Sequence, residues 1–235
     1  MENSIRAAEL AGYELFEGLQ EEQLEMFLID HSILRMPAAH QTIFEDDWSD
    51  GIFLIRTGIA KVRHITMAGE EVVIALLGAG QMFGELSYLL GDGRRRADVL
   101  SLTPMEVVKL RSGVVDNAAR QLPDFWLRLA RFEAHRLVDL GRRFGMQGED
   151  ATTRVLATLQ ELARCNSRDN DPQAPIPNLS QSEIATIAGL ARGTTSTVIN
   201  QLRARGTISE TPDGLRIVNL DPLRQRGLVK QADSL

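Results

Sequence analysis

The chain is poor in cysteine and has no long apolar run, and each absence excludes a class of protein. Cys165 is the single cysteine among 235 residues, which excludes an internal disulfide and a multi-cysteine metal cluster. No apolar stretch approaches the ~20 residues that a membrane-spanning helix requires. The N-terminus, MENSIRAAELAGYELFEGL, lacks the basic-then-apolar pattern of a signal peptide. The sequence therefore predicts a soluble, cytoplasmic protein with no membrane partner.

Histidine is also scarce, and its positions indicate no metal site. His31, His40, His64 and His135 are scattered, without the spacing of metal or haem ligands. The sequence also lacks a Walker loop and the arrangement of a Ser-His-Asp triad. We therefore expect no metal, no covalent cofactor and no enzymatic activity.

Negative charge dominates the whole chain but not its C-terminal part. The net charge is −6. Residues 180–235 carry seven basic and five acidic side chains, whereas residues 1–179 carry nineteen basic and twenty-seven acidic ones. This division permits the C-terminal part to bind a polyanion such as DNA.

Short runs rich in β-branched residues follow one another between Ile33 and Arg111, separated by glycine-containing turns. The runs are ILRM, QTIF, IFLIRT, IAKVRHI, EEVVIALL, ADVLSL and MEVVKLR. Many short strands at this spacing predict a barrel or a sandwich. Two short helical patterns, near residues 5–17 and 21–30, precede the strands.

Residues 123–144 have the periodicity of a helix that is apolar on two faces. One stripe contains Trp126, Ala130, Leu137, Leu140 and Phe144, with Glu133 interrupting it, and the other contains Phe125, Leu129 and Phe132. Two apolar faces require two partners, so we expect one stripe to cover the barrel and the other to meet a second copy of the chain. A single broad face buried within a monomer is the alternative. A hinge at residues 145–149 and a helix near residues 150–165 follow.

The segment from Leu179 to Leu220 has the succession of elements typical of a winged helix-turn-helix. Ser180 and Glu183 form a capping box at a helix start, and Gly189 provides the turn that ends this helix. A second helix, near residues 192–205, opens with an arginine and small hydroxyl side chains that can enter the major groove. Thr-Pro-Asp-Gly then predicts the hairpin of a wing. The candidate DNA-binding residues are Ser180, Gln181, Arg192, Gly193, Thr194, Ser196, Thr197 and Asn200.

A second motif, GQMFGELSYLLGDGRRRADVLSL, has the features of an anion site. Gly84 permits a close approach of the backbone to a ligand, and a helical turn over residues 85–90 offers free N–H groups to a phosphate. Glu85 is suited to accept from a sugar hydroxyl, and Arg95 to bind the same phosphate. The alternative is that Glu85 caps the turn and pairs with an arginine.

With these motifs in this order, the chain resembles the CRP/FNR superfamily over about residues 14–220. FGELS followed by RRRADV resembles the phosphate-binding cassette of cyclic-nucleotide sensors, and SQSEIATIAGLARGTTSTVINQL resembles the family's DNA-reading motif. The resemblance implies a ribose-side role for Gly84 and Glu85, a phosphate role for Arg95, and contact of Arg192 with a base or a phosphate.

The chain departs from the family's cyclic AMP sensors in ways that leave the effector open. Arg96 stands where those proteins place Ser, Thr or Ala, and residues 138–141 offer no hydroxyl to a purine. The Arg96-x-Asp98 and Arg136-x-x-Asp139 pairs resemble those used by family members that respond to cyclic di-GMP, although a solvated charged loop also explains them. Cyclic di-GMP and a cyclic mononucleotide such as cyclic AMP both stay open, as do 2-oxoglutarate and no effector. The DNA-reading helix departs as well, with Gly193 and Thr197 in place of the family's common Glu and Arg.

We therefore expect a homodimeric, effector-responsive DNA-binding transcription regulator of the α+β class. Residues 1–112 would form a jelly-roll sensor barrel, residues 113–149 the dimerisation helix and hinge, and residues 150–235 the winged helix-turn-helix. The candidate effector-binding residues are Gly84, Glu85, Leu86, Ser87, Arg94, Arg95, Arg96, Ala97, Asp98, Arg136 and Asp139. The expected partners are a pseudo-palindromic DNA duplex, a nucleotide effector, and RNA polymerase or another regulator. The alternative from a different class is a regulatory subunit of an enzyme.

Overall fold

A computed structural model describes residues 5–229. The chain divides into two compact units, one made of residues 1–64 with 77–140 and the other of residues 65–76 with 141–235. The boundaries of the three segments expected from the sequence stay a prediction.

Helices and strands alternate in a mixed order along the described chain. The helices are α1 (Ala7–Leu10), α2 (Glu21–Glu25), α3 (Leu86–Leu90), α4 (Ser112–Gln121), α5 (Phe125–Met146), α6 (Ala151–Cys165), α7 (Gln181–Ala188), α8 (Arg192–Ala204) and α9 (Asp221–Arg224). The strands are β1 (His31–Met36), β2 (Gln41–Ile43), β3 (Gly51–Thr57), β4 (Ala60–Ile65), β5 (Glu71–Leu77), β6 (Met82–Phe83), β7 (Asp98–Ser101), β8 (Met105–Arg111), β9 (Ile176–Pro177), β10 (Ile208–Thr211) and β11 (Gly214–Ile217). Two short 3-10 segments, Glu14–Phe16 and Met26–Leu28, accompany α1 and α2.

The N-terminal strands form two four-stranded sheets, with the orders β1-β8-β3-β6 and β2-β7-β4-β5. The pairs between β1, β8, β3 and β6 are antiparallel, as are those of β7 with β2 and β4. The first five residues of β3 are all buried, which agrees with a strand covered on both faces. All seven predicted strands are present, and the predicted α+β class with an N-terminal β-roll is confirmed. The short β6 was not predicted.

Helix α5 buries one of its two apolar faces in the core of the first unit. Phe125, Leu129 and Phe132 are buried, as the sequence predicts. The Phe125 ring stacks on Phe27 with 5.7 Å between centroids, and Phe27 in turn meets Phe16 at 4.8 Å. The N-terminal segment is therefore part of the same core as the sheet.

The exposed apolar face of α5 differs in part from the stripe read from the sequence. Glu133 lies half-buried toward Glu85, in agreement with its predicted place as an interruption, and all five apolar residues of the predicted stripe are exposed. Exposed apolar or small residues also recur at alternating spacings of three and four, the pattern of a coiled-coil seam, in a set that differs in part from the predicted stripe. They are Leu127, Ala130, Ala134, Leu137, Gly141 and Phe144, and we call them the α5 seam.

Several element boundaries also differ from the sequence-based expectation. The helical patterns predicted near residues 5–17 and 21–30 are each broken into one short α-helix and one 3-10 turn. Helix α4 was not predicted at all. Helix α5 continues to Met146, which shortens the predicted hinge, and Asp150 caps α6 by accepting from the N–H groups of Thr152 and Thr153 at 2.8 and 3.1 Å.

Helices α6, α7 and α8 share an apolar core in the second unit. Val155, Leu159, Ile184, Ile199 and Leu202 are buried. No helix within residues 5–229 has the length and apolar character needed to cross a membrane. The same residues contain no cluster of His, Cys, Asp or Glu side chains suited to a metal ion.

Candidate effector site and DNA-binding helix

Gly84, between β6 and α3, has a backbone conformation and surroundings that only glycine fits. Its φ is +90°, in the region that favours glycine. A Cβ atom there would lie 2.5 Å from Arg95 Nη1 and 3.3 Å from the Gly51 carbonyl oxygen. The close approach predicted for Gly84 is therefore made to Arg95 and to β3.

Arg95 lies inside the roll, with 3% of its surface exposed. Its Nη1 donates to the Gly84 carbonyl at 2.8 Å, and its Nη2 donates to the Gly51 carbonyl at 2.9 Å. Asp50 Oδ1 lies 3.4 Å from Nη2. Burial lowers the pKa of Arg95, while the nearby carboxylates of Asp50 and Glu85 act in the opposite direction. An arginine remains a cation under these conditions, so the site holds a fixed positive charge.

Glu85 immediately precedes α3 and is 2% exposed. Its side chain does not cap the helix. One oxygen, Oε1, accepts a short hydrogen bond from Arg136 Nη1. The other, Oε2, is buried and has no hydrogen-bond partner among the described residues. A buried carboxylate oxygen without a donor is costly, and a ligand hydroxyl would satisfy it.

Arg136 reaches the roll from α5. Its Nη2 donates to the Met82 carbonyl at 2.9 Å, and its guanidinium lies 5.0 Å from the centre of the Phe132 ring. Glu133, one helical turn earlier, has its Oε1 at 4.0 Å from Arg136 Nη1. Burial, followed by the charge of Glu85, raises the pKa of Glu133 to about 7. Sequence reasoning selected Arg136 but missed Glu133, which it took for an interruption of an apolar stripe.

Leu86, Ser87 and Ala97 lie close to these charged groups along the chain. Leu86 and Ser87 are the first residues of α3, where backbone N–H groups have no intrahelical acceptor. Ser87 is buried and Leu86 is exposed, while Ala97 is half-buried before β7.

Arg94 and Arg96 point away from Glu85 and Arg95. The Arg94 guanidinium lies 4.2 Å from the centre of the exposed Trp48 ring and donates to the Asp46 carbonyl at 2.7 Å. Arg96 forms an ion pair with Asp92, and both side chains are exposed. The three consecutive arginines are therefore divided between the interior and the surface.

The two aspartates of the proposed guanine-reading pairs are likewise separated from Glu85. Asp98 accepts from the backbone N–H of Glu45 at 2.9 Å and pairs with Arg63 Nε at 3.2 Å. Asp139 is exposed on α5, whereas Arg136 turns toward the roll. Arg96 and Asp98 therefore have separate partners.

The helix pair α7–α8 has the predicted helix-turn-helix geometry. Ser180 Oγ accepts from the Glu183 N–H at 3.1 Å, and Gly189 ends α7 with a φ of +62°. Arg154 of α6 donates to the carbonyls of Ala188 and Gly189 at 3.0 and 2.6 Å. A Cβ atom on Gly189 would lie 2.5 Å from Arg154 Nη2. Arg154 thus fixes the turn, and no local pattern in the sequence identifies it.

Helix α8 has an apolar buried face and a polar exposed one. Val198, Ile199 and Leu202 are buried. The exposed predicted residues are Arg192, Gly193, Thr194, Thr197 and Asn200. Neighbouring Thr195, which was not predicted as a contact, is fully buried.

Several polar groups of this surface are already hydrogen bonded within the protein. Ser196 donates to Gln181 Oε1, which links α8 to α7 and leaves the amide nitrogen of Gln181 for another acceptor. Thr197 Oγ1 donates to the Gly193 carbonyl at 3.0 Å, a bond within the helix. Asn200 Oδ1 accepts from Arg203 at 3.2 Å. Arg192 and Thr194 remain the exposed polar side chains at the N-terminal tip of α8.

The predicted wing is also present. Strands β10 and β11 pair in an antiparallel hairpin, with Thr211 opposite Gly214, and β9 pairs with the other edge of β11. A helix pair followed by such a hairpin is the winged helix-turn-helix arrangement.

Two family models match the chain, one in the N-terminal part that contains the β-roll and one in the C-terminal part that contains the winged helix-turn-helix. Residues 34–121 match the cyclic nucleotide-binding domain, and residues 153–226 match the Crp-like helix-turn-helix domain. The chain belongs to the CRP/FNR family. As a member of that family it is a DNA-binding transcription regulator with a cyclic nucleotide-binding domain.

Individual relatives in the CRP/FNR family match along most of the chain. The cyclic AMP receptor protein of Thermus thermophilus is 27% identical over 209 residues, which cover 88% of this chain and 94% of that protein. The cAMP-activated global transcriptional regulator CRP of Salmonella typhimurium is 26% identical over 187 residues, covering 79% and 89%. These relatives are transcription regulators rather than enzymes.

Solved structures of the same family have the same fold. The c-di-GMP responsive global regulator CLP of Xanthomonas campestris matches with a TM-score of 0.67 and 17% identity, covering 85% of this chain and all of that one. The catabolite activator protein of Thermus thermophilus matches with a TM-score of 0.50 and 26% identity, covering 92% and 100%.

Proposed function

We propose that this regulator is a homodimer whose DNA binding is controlled by a cyclic mononucleotide held at Glu85 and Arg95. The observation that carries the proposal is the buried Glu85 Oε2, which has no hydrogen-bond partner among the described residues while Glu133 is ionised and which belongs to the same site as a buried guanidinium. A cyclic nucleotide supplies both complements, because its ribose carries a free hydroxyl and its phosphate one negative charge.

The donors of Arg95 support a phosphate at this site. A guanidinium has five N–H groups, and the contacts of Arg95 with Gly84, Gly51 and Asp50 use three of them. The remaining two are available to an anion in a water-poor environment, where a charge-assisted hydrogen bond is strong. Relatives named as cyclic AMP receptors agree with this assignment.

Cyclic di-GMP has less support from the same residues. Arg94, Arg96 and Asp98 would have to leave Trp48, Asp92 and Arg63 to read a guanine. The neighbour described as c-di-GMP responsive is too distant in sequence for its ligand to be transferred.

Calorimetry with the full chain tests the effector. Cyclic AMP, cyclic GMP, cyclic di-GMP and 2-oxoglutarate would be titrated into wild type, Arg95→Ala and Arg96→Ala. We expect a cyclic mononucleotide to bind wild type, and Arg95→Ala to lose at least about tenfold in affinity, because one charge-assisted bond contributes about 1.5–3 kcal/mol. Arg96→Ala is the matched control and should bind normally. Binding of cyclic di-GMP alone, weakened by Arg96→Ala, would overturn the assignment, and binding of none of the four would indicate an effector-independent regulator.

The α5 seam supports the dimer. Leu127, Leu137 and Phe144 are 51%, 69% and 72% exposed, an unusual number of large apolar side chains on one helix face. Alanine and glycine at the intervening positions would let two copies of α5 approach closely. A two-fold pair would present two copies of α8, which predicts a pseudo-palindromic operator. RNA polymerase or another regulator would then be a further partner, and the cytoplasm the place of action.

Light scattering after size exclusion tests the dimer. Wild type should elute with twice the mass of one chain, whereas Leu137→Arg should elute as a monomer because it places charges across the seam. Ile29→Arg is the matched control, since Ile29 is 73% exposed but lies outside α5. A Leu137→Arg variant that remains dimeric would place the interface elsewhere.

A further inference from the structure

Glu133 gives the proposed nucleotide site a second carboxylate that the function described above does not use. Its side chain is 19% exposed, and its Oε1 is buried without a hydrogen-bond partner among the described residues. Glu85, which contacts the same Arg136 Nη1 and interacts directly with Glu133, also has one such oxygen. One guanidinium therefore faces two carboxylates, and each carboxylate has an unsatisfied oxygen.

With a nucleotide phosphate bound, the charges of the site balance only when one of these carboxylates is neutral. Asp50 is paired with Lys109, which leaves Arg95 and Arg136 as the two cations that face Glu85. If a nucleotide phosphate binds at Arg95, the phosphate and Glu85 neutralise both arginines. An ionised Glu133 would then be an uncompensated negative charge in a buried site, which is strongly unfavourable.

We propose that Glu133 is a positioning residue for the effector, and that its carboxyl group is protonated in the nucleotide-bound state. The proposal rests on nucleotide binding at Glu85. In this state Glu133 donates a hydrogen bond to Glu85, which stays ionised, pairs with Arg136 and also accepts from the ligand hydroxyl. If the Glu133 carboxyl group is ionised in the free protein, effector binding is therefore accompanied by the uptake of one proton.

The groups that face Glu133 determine the sign of this linkage. They are Glu85, at the start of α3, and Arg136, on α5 itself; Arg95 acts on Glu85 from the segment before β7. Burial and the charge of Glu85 already raise the pKa of Glu133 in the free protein. A bound anion and the loss of water raise it further, so affinity is full at low pH and falls as the pH rises through the value of the free protein.

Calorimetry of the cyclic nucleotide that binds best, between about pH 5.5 and pH 8.5 and in two buffers of different ionisation enthalpy, tests this proposal. Wild type should take up close to one proton at the alkaline end and lose up to about tenfold in affinity per pH unit there. Glu133→Gln should bind with the low-pH affinity of wild type throughout and take up no proton, because the amide mimics the neutral acid.

Glu106→Gln is the matched control. Glu106 also has 19% of its side chain exposed and pairs with arginines, at 2.6 Å from Arg35 and 2.7 Å from Arg56. This variant should keep the pH dependence of wild type. Nucleotide binding without proton uptake in wild type, or an unchanged pH profile in Glu133→Gln, would overturn the role of Glu133 and leave the proposed function intact. Failure of every cyclic nucleotide to bind at any pH would instead refute the proposed function itself.

Discussion

The β-roll and the helix-turn-helix place their candidate functional groups in opposite environments. In the roll, Glu85 and Arg95 are almost completely buried and already bonded to other parts of the protein. In the helix-turn-helix, Arg192 and Thr194 are exposed, and the opposite face of α8 forms the core. A small anion can be held inside a protein, whereas a DNA groove must be reached from its surface.

This difference determines how substitutions act in each region. The contacts of Arg95 satisfy the backbone carbonyls of Gly51 and Gly84, so the same bonds hold the fold and prepare the site. Loss of a buried partner leaves a polar group unsatisfied, which costs stability as well as binding. On α8 the two tasks are assigned to different faces, and a change at the tip should alter DNA binding alone.

The largest effect is expected for Gly84→Ala in the roll. The added Cβ would lie 2.5 Å from Arg95 Nη1, and the backbone φ of +90° disfavours any L side chain. We expect the free energy of unfolding to fall by about 1–3 kcal/mol and nucleotide affinity to fall by more than tenfold, on the order of one displaced charge-assisted bond. Urea unfolding and calorimetry measure the two losses.

Gly91→Ala is the control that separates backbone strain from collision. Gly91 has a φ of +71°, but a Cβ there would meet no atom within 4 Å. It should cost about 1 kcal/mol and leave nucleotide affinity nearly unchanged. Equal effects of the two variants would show that the Arg95 contact is not what makes Gly84 necessary.

A smaller and purely functional effect is expected for Arg192→Ala at the tip of α8. Losing one base or phosphate contact should weaken operator binding by about 1–3 kcal/mol, on the order of tenfold to a hundredfold. Arg205→Ala, at the C-terminal end of the same helix, is the control and should weaken binding less. Fluorescence anisotropy with the operator duplex measures the affinities. A fall in thermal stability with Arg192→Ala would contradict the proposal that the exposed face of α8 serves DNA binding and only the buried face supports the fold.

The sequence predicts most of the fold because each element has a local signal. Alternating and β-branched runs mark seven strands, and the stripe of Phe125, Leu129 and Phe132 marks the buried face of α5. Ser180 and Gly189 mark the two ends of α7 because capping and a positive φ depend on one residue each. The winged helix-turn-helix was predictable for the same reason.

The partners of charged side chains could not be predicted in this way. Arg94, Arg95 and Arg96 are adjacent in sequence, yet Arg95 is buried while Arg94 contacts Trp48 and Arg96 contacts Asp92 at the surface, because these residues lie in a loop before β7 where no periodic pattern determines the direction of a side chain. Glu133 meets Glu85 only after α5 packs on the roll. Strand β6 has two residues, too few to show a periodicity, whereas α4 buries Val115, Ala118 and Ala119 on one face, a local pattern that the sequence-based prediction missed.

The smallest predicted effect concerns Asp150, a polar group in the second unit that does support the fold. Hydrogen bonds from the Thr153 side chain and then from backbone N–H groups lower the pKa of Asp150. Its contribution is therefore present above the pKa of the unfolded chain, near 3.8, and is lost as the pH falls through the lower folded value. Asp150→Ala should reduce the free energy of unfolding by about 1 kcal/mol at neutral pH, and urea unfolding should show this difference shrinking below about pH 4.

Asp150→Ser should retain most of the cap, and Asp169→Ala, a change of equal charge in the exposed loop after α6, should have little effect. If Asp150→Ala leaves the free energy of unfolding unchanged, packing alone stabilises the start of α6. Exposed polar groups of the helix-turn-helix region would then contribute to binding but not to the stability of the fold.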